Sequence, residues 1–289
     1  GLSGMDNHKS IWMWLFKTPH KLGFVDAGGV ATRYLEAGAP EKPPLLLLHG
    51  TAGSLENFCA NISTLAEHFH VYAIDMLGCG FTAKPEKDYL IPDYADHALA
   101  FLDAVGVPRA HVIGVSLGSW VGARMAASAA DRISKLIMVA PAGIILDPEE
   151  EARVAEGVKK RRLSAAESPT WDTVKAVLTR MVHNPEMLID DLIAVRLAIY
   201  STAEMKAAMP RLLAFAGSGG DLKLEEWRAM ETPILSVASV DAGDMFMKNA
   251  YAIAEIAPNA KLLELSGCDH WAQYECADQF NAEAVAFLK

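Results

Sequence analysis

Apolar residues run along the chain in two alternating rhythms. Short runs rich in Leu, Ile and Val, bounded by Gly, Pro or Asp, occur at Leu45 to Leu48, Val71 to Ile74, residues 111–115, Leu136 to Val139, Pro233 to Val237 and Lys261 to Leu265. Runs of this length predict strands buried on both faces. Between them lie stretches with helical spacing: Asn57 to Phe69, Tyr94 to Val105 stopped by Gly106, Trp120 to Ala130, Phe246 to Ile256 and Ala277 to Leu288. Val30 to Glu36 adds an early strand, followed by a turn-rich link from Pro40 to Pro44. Strand and helix alternating in this way predict an α/β fold whose central sheet is mostly parallel and flanked by helices.

The rhythm changes after Gly143. From Asp147 to about Leu213 no strand-like run appears, Glu, Ala, Lys and Met dominate, and Pro169, Pro185 and Pro210 divide the stretch into four expected helices. An insertion of this kind between two α/β stretches reads as a cap over the carboxyl edge of the sheet. The expected division is a core of residues 1–145 and 231–289 with a helical cap at 146–230, inserted after the sixth core strand. No repeat or low-complexity tract interrupts the pattern.

Composition narrows the classes. With 289 residues, 52% hydrophobic and 21% charged, the chain has the make-up of a soluble globular protein with a sizeable core. Its formal charge of −10 argues against nucleic acid as a partner. The one basic run, Lys159-Lys160-Arg161-Arg162, reads as a solvated helix face. Cys59, Cys79, Cys268 and Cys276 lack C-x-x-C spacing, so reduced thiols and a cytoplasmic location are expected. The run Ile11 to Phe16 is too short to span a membrane and has no small-residue cleavage site, so neither a membrane nor a signal peptide is expected. Gly1 to Gly4 reads as a leftover ahead of Met5. There is no H-E-x-x-H, and His68 and His70 alternate as strand residues do; no metal and no cofactor are expected.

The candidate chemistry starts at Gly114-Val115-Ser116-Leu117-Gly118, between an apolar run and an Ala-rich helical segment. In a strand-to-helix setting, G-x-S-x-G places the serine on a strained turn with its hydroxyl clear of the sheet edge. The Leu117 amide, with one from Thr51 or Ala52 in the small-residue loop after His49-Gly50, would meet a developing oxyanion. A serine needs a base, and His270, just beyond the final strand, is the best placed in the chain order. His49 reads as a brace for the loop that it opens. Ser54, Ser119 and Cys79 lack the elbow and are weak rivals for nucleophile.

Serine, then acid, then histidine is the chain order of the α/β-hydrolase fold, which the sequence resembles over residues 25–288. Within that fold, Cys268-Asp269-His270-Trp271-Ala272-Gln273-Tyr274-Glu275, followed by Ala277-Asp278-Gln279-Phe280-Asn281, is similar to the carboxyl end of the meta-cleavage product hydrolases. The stretch Gly78 to Pro85 is similar to the loop after that family's third strand. Those enzymes cleave a C–C bond in vinylogous 1,5-diketones formed by ring fission of aromatics. The resemblance implies a small-molecule substrate, a homo-oligomer, Arg196 facing the substrate carboxylate and Trp271 lining the pocket. Val115 stands where the family has a polar substrate contact, and Asp269 where it has glycine. The family's acid would fall at Ala242, so Asp241, one residue early, is preferred over Asp244, two late, with Asp269 third. A carboxylesterase or lactonase using the same triad, and a non-catalytic small-molecule binder, are the alternatives.

Overall fold

The computed structural model describes residues 9–289, so the reading of Gly1 to Gly4 lies outside it. Its strands are β1 (His20–Ala27), β2 (Val30–Ala37), β3 (Pro44–Leu48), β4 (His70–Ile74), β5 (Ala110–Val115), β6 (Ile133–Val139), β7 (Ile234–Ser239) and β8 (Ala260–Leu265). They form one sheet in the order β1-β2-β4-β3-β5-β6-β7-β8. From β4 to β8 in that order neighbours are parallel, while β2 runs antiparallel to both β1 and β4. The Leu45 to Leu48 run is fully buried at the centre, as a strand covered on both faces must be.

Two elements differ from expectation. β1 is an additional edge strand, joined to β2 through Gly28 and Gly29 at φ +61° and +90°, the left-handed conformations that a two-residue hairpin turn requires. Its Leu22 and Phe24 face solvent, so it lacks the buried run that marks the central strands. Asn57 to Phe69 is not one helix: a 3₁₀ turn (Leu55–Phe58) is followed by a short helix (Ile62–Ala66). Asn61 breaks the stretch by donating from Nδ2 to the Gln273 carbonyl and to Asn281 Oδ1, both at 2.7 Å.

Between β6 and β7 stand the four expected helices, Pro148–Glu167, Trp171–Thr179, Asp190–Tyr200 and Ala203–Leu212. Asp147 starts the first by accepting from the Glu149 and Glu150 amides at 3.0 and 3.4 Å, with Pro148 at its first position. Pro169 and Pro185 fall in the breaks, but Pro210 lies inside the last helix. The actual break is at Ser201-Thr202, where Thr202 Oγ1 accepts from the Met205 amide at 3.2 Å. Among the described residues no helix is long and apolar enough to cross a membrane.

A buried ionic network fixes the loops at the carboxyl edge. Asp75, at the end of β4, accepts from Arg33 Nε at 2.7 Å and from the Leu55 and Phe81 amides, both at 2.8 Å. Arg33 also pairs with Glu56. The loops after β3 and β4 are thereby tied to one carboxylate beneath the site.

Candidate active site

The helix Leu117–Ser128 begins directly after β5, and Ser116 between them has φ +53° and ψ −113°, a strained conformation for a residue with a side chain. Its surroundings hold it there. The Ser116 amide donates to the Val139 carbonyl at 2.8 Å, and its own carbonyl accepts from the Ser119 and Trp120 amides at 2.9 and 3.1 Å. Ser119 Oγ donates to the same carbonyl at 2.6 Å and accepts from the Ala142 amide at 3.1 Å, so that hydroxyl is structural. A Cβ on Gly114 would lie 2.2 Å from the Gly118 carbonyl oxygen, and one on Gly118 would lie 2.1 Å from the Leu48 oxygen. Both flanking glycines are therefore required by the close passage of strand, turn and helix. The bonds made at Ser116 all run through its backbone, and its side chain borders a cavity of about 120 Å³.

Neither the Leu117 nor the Thr51 amide donates to a protein acceptor among the described residues, and Thr51 lines the cavity beside Ser116. Ala52 differs: it is buried at φ +52° and does not line the cavity. Burial pushes the Cys79 thiol up to about 12, which leaves it protonated. His49 braces the loop in a defined tautomer, its Nδ1 donating to the Gly50 carbonyl at 2.7 Å and its Nε2 accepting from the Met76 amide at 2.9 Å. Burial lowers it to about 4, consistent with a neutral ring. From the cap, Tyr200 Oη donates to the Ala52 carbonyl at 3.1 Å, so a cap helix holds the loop after β3.

His270 lines the same cavity as Ser116, its ring edge-on to Phe246 at 4.6 Å. The loop carrying it is stapled on both sides. Ser239 Oγ donates to the Asp269 carbonyl at 2.7 Å, and the Trp271 amide donates to the Met181 carbonyl of the cap at 2.9 Å. Glu275 accepts from the amides of Asp269, His183 and Asn184 at 3.0, 2.7 and 3.0 Å, joining core and cap. Burial, and secondarily the positive Arg162, lower His270 to about 3, so the ring is neutral.

The acids separate by position. Asp241 is exposed and accepts from the Gly267 amide at 2.7 Å, and it does not line the cavity. Asp244 caps the helix Met245–Ile256 by accepting from the Met247 amide at 2.9 Å, and it shares with His270 and Asp269 both the main cavity and a small adjoining one. Burial, and then the Asp244 charge, raise Asp269 from its ordinary value. Asp244 thus lines the cavity with His270, though its one side-chain hydrogen bond among the described residues is to Met247, and Asp241 lies at the surface. Trp271 lines the cavity, while Val115 is buried in β5 and does not reach it.

Four arginines close the cavity from the cap: Arg161 and Arg162 on the first helix, Arg180 after the second and Arg196 on the third. Arg196 is 4% exposed with its guanidinium 5.6 Å from the Tyr200 ring centroid. The basic run is thus not a uniformly solvated face, since Arg162 is 5% exposed. Its helical register with Val154, Val158 and Ala165 places it on the apolar stripe, a signal that spacing carries and charge conceals.

The chain belongs to the alpha/beta hydrolase fold family, whose model matches residues 43–277. Among curated relatives it is 28% identical over 272 residues, covering 92% of this chain and 90% of the other, to the 2-hydroxy-6-oxo-6-(2'-aminophenyl)hexa-2,4-dienoic acid hydrolase of Metapseudomonas resinovorans. Among solved structures it resembles a serine hydrolase of the polyaromatic hydrocarbon-degrading bacterium Cycloclasticus zankles, with TM-score 0.81, 22% identity and coverage of 93% and 98% of the two chains. The enol-lactonase of Burkholderia xenovorans LB400 shares the fold at TM-score 0.75 and 22% identity, covering 92% and 99%.

Proposed function

We propose that the protein hydrolyses a C–C bond in a carboxylated vinylogous 1,5-diketone. Ser116 and His270 do the chemistry, Asp244 orients the base, and the Leu117 and Thr51 amides meet the oxyanion. The observation that carries this reading is Arg196, a buried guanidinium with no ion-pair partner among the described residues, lining one cavity with Ser116 and His270. A guanidinium grips a carboxylate through two parallel N–H donors, and a 2-oxo acid presents the group that completes it.

With the acid end on Arg196, the dienol is ketonised by protonation at carbon, and the distal carbonyl is left at the elbow. Addition to that carbonyl passes a proton to His270 and places negative charge on the oxygen beneath the two amides. The C–C bond then breaks, its electron pair moving into the conjugated enone. One water is consumed overall, and the products are a carboxylic acid and a hydroxydienoate. The segment 146–230 acts as the cap that carries the carboxylate clamp.

Ring-fission dienoates are coloured, so loss of their absorbance reads the reaction directly. Purified protein should bleach such a dienoate, and Ser116→Ala should abolish the bleaching. Turnover of p-nitrophenyl acetate without any bleaching would instead identify an esterase or lactonase. A folded sample whose Ser116 is not labelled by a fluorophosphonate would exclude both enzymes.

A further inference from the structure

We propose that Arg161 and Arg162, with Arg180 at the rim, form a second anion subsite in the cap, so that the substrate carries two acidic groups, one on Arg196 and one on this patch. The proposal rests on the cavity at Ser116 being the catalytic one. The chain supplies its own comparison for a buried arginine. Arg33 is buried between two carboxylates, with Asp75 at 2.7 Å and Glu56 beyond it. Arg162 is as deeply buried, yet neither it, Arg161, Arg180 nor Arg196 forms an ion pair among the described residues. The Nε atoms of Arg161 and Arg162 are buried without any hydrogen-bond acceptor. The Arg162 guanidinium, held this way in the interior, calls for a counter-charge; no carboxylate among the described residues supplies it, and an anionic ligand in the cavity would.

Charge balance in the cavity points to a dianion. The lining holds four arginines against two aspartates, an excess of two positive charges. The aspartates lie beside His270, and the arginines lie on the cap. One carboxylate on Arg196 leaves the remaining excess around Arg162. Burial, and after it the neighbouring arginines, pull Arg162 down to about 10, so the charge is present at neutral pH and poorly compensated. The backbone accommodates the patch as well: a Cβ on Gly157 would lie 2.9 Å from an Arg161 Nη, so glycine leaves the space into which that guanidinium folds along its own helix.

The test compares adipate with hexanoate, ligands of equal length bearing two carboxylates and one, by calorimetry on the wild-type protein, Arg162→Met, Arg161→Met and Arg196→Met. The second carboxylate should tighten binding on the order of tenfold, the gain expected of one charge-assisted contact. Arg162→Met should lose that preference and keep its hexanoate affinity, Arg161→Met should lose part of it, and Arg196→Met should weaken both ligands. Arg162→Met should also raise the thermal midpoint of the free protein, which separates loss of the subsite from loss of fold. Equal affinities in the wild type would overturn the proposal. So would an adipate preference that survives both Arg161→Met and Arg162→Met, or a joint loss of hexanoate and adipate binding in Arg162→Met, which would put both arginines on one carboxylate. Dienoate bleaching is read separately, so a C–C hydrolase without a diacid preference and a diacid binder without C–C activity are distinct results.

Discussion

At the scale of the residue, the acid and the base lead to sharp predictions. Asp244 shares the cavity with His270 and Asp241 does not, so Asp244→Asn should lower kcat by roughly 10⁴-fold, as losing the orienting acid of a triad does. Asp241→Asn should leave kcat within a few-fold; the opposite ranking in steady-state kinetics would return the role to Asp241. His270 lies well below its ordinary value of 6.5, at about 3, through burial and the Arg162 charge, with Asp244 and Asp269 on its other side. The free enzyme therefore keeps a neutral base through mildly acidic pH, and kcat/KM should show no histidine limb between pH 5 and 8. An anion against Arg162 offsets the repulsion, so the acid limb of kcat should lie at higher pH than that of kcat/KM. Coincident limbs near pH 6.5 would contradict this. Because the folded value is depressed, the stability due to neutral His270 is full above 6.5 and is lost as pH falls toward 3. That Ser116, His270 and Arg196 line one cavity was legible in the sequence because each sits in a local pattern or a resemblance. Asp244 was legible only as the second choice to Asp241, because the path of the loop from Ser239, through Gly243 at φ +61°, decides which carboxylate lines the cavity. Arg162 was hidden by its basic neighbours, although its register with Val154 and Val158 pointed inward.

At the scale of the element, the elbow was readable because its glycines answer a local steric demand, whereas the Asn57 to Phe69 stretch was misread because its break depends on Gln273 and Asn281, more than 200 residues away. The same holds for Pro210, a helix breaker by propensity that lies within a packed cap helix. Where the cap meets the core, Glu151 at the start of the first cap helix and Asp221 in the returning segment form a half-buried acidic pair. Burial, then repulsion from Asp221, raises Glu151 to about 7, and burial raises Asp221 to about 6. The folded state thus holds protons that the unfolded state has already released, so this contribution to stability is full at acidic pH and is lost as pH rises through 6 to 7. The thermal midpoint of Asp221→Asn should fall less between pH 5 and 8 than that of the wild type. Parallel pH profiles for the two proteins would show that the pair does not couple to folding.

At the scale of the molecule, alternating strands and helices were sufficient for the sheet because each central strand is buried on both faces and announces itself as an apolar run. β1 escaped notice because an edge strand with Leu22 and Phe24 outward carries no such signature. A formal charge of −10 conceals a cavity lined by four arginines, since a whole-chain sum says nothing of where charge is buried. The central claim is that this cavity holds a carboxylated substrate by Arg196 over Ser116. The most direct measurement is kcat/KM of the wild type and Arg196→Met on a ring-fission dienoate acid and on its neutral methyl ester. The acid should lose on the order of a hundredfold, about 2.7 kcal/mol of transition-state stabilisation, while the ester stays within about twofold. Equal losses on acid and ester would take Arg196 out of the substrate site and contradict the account.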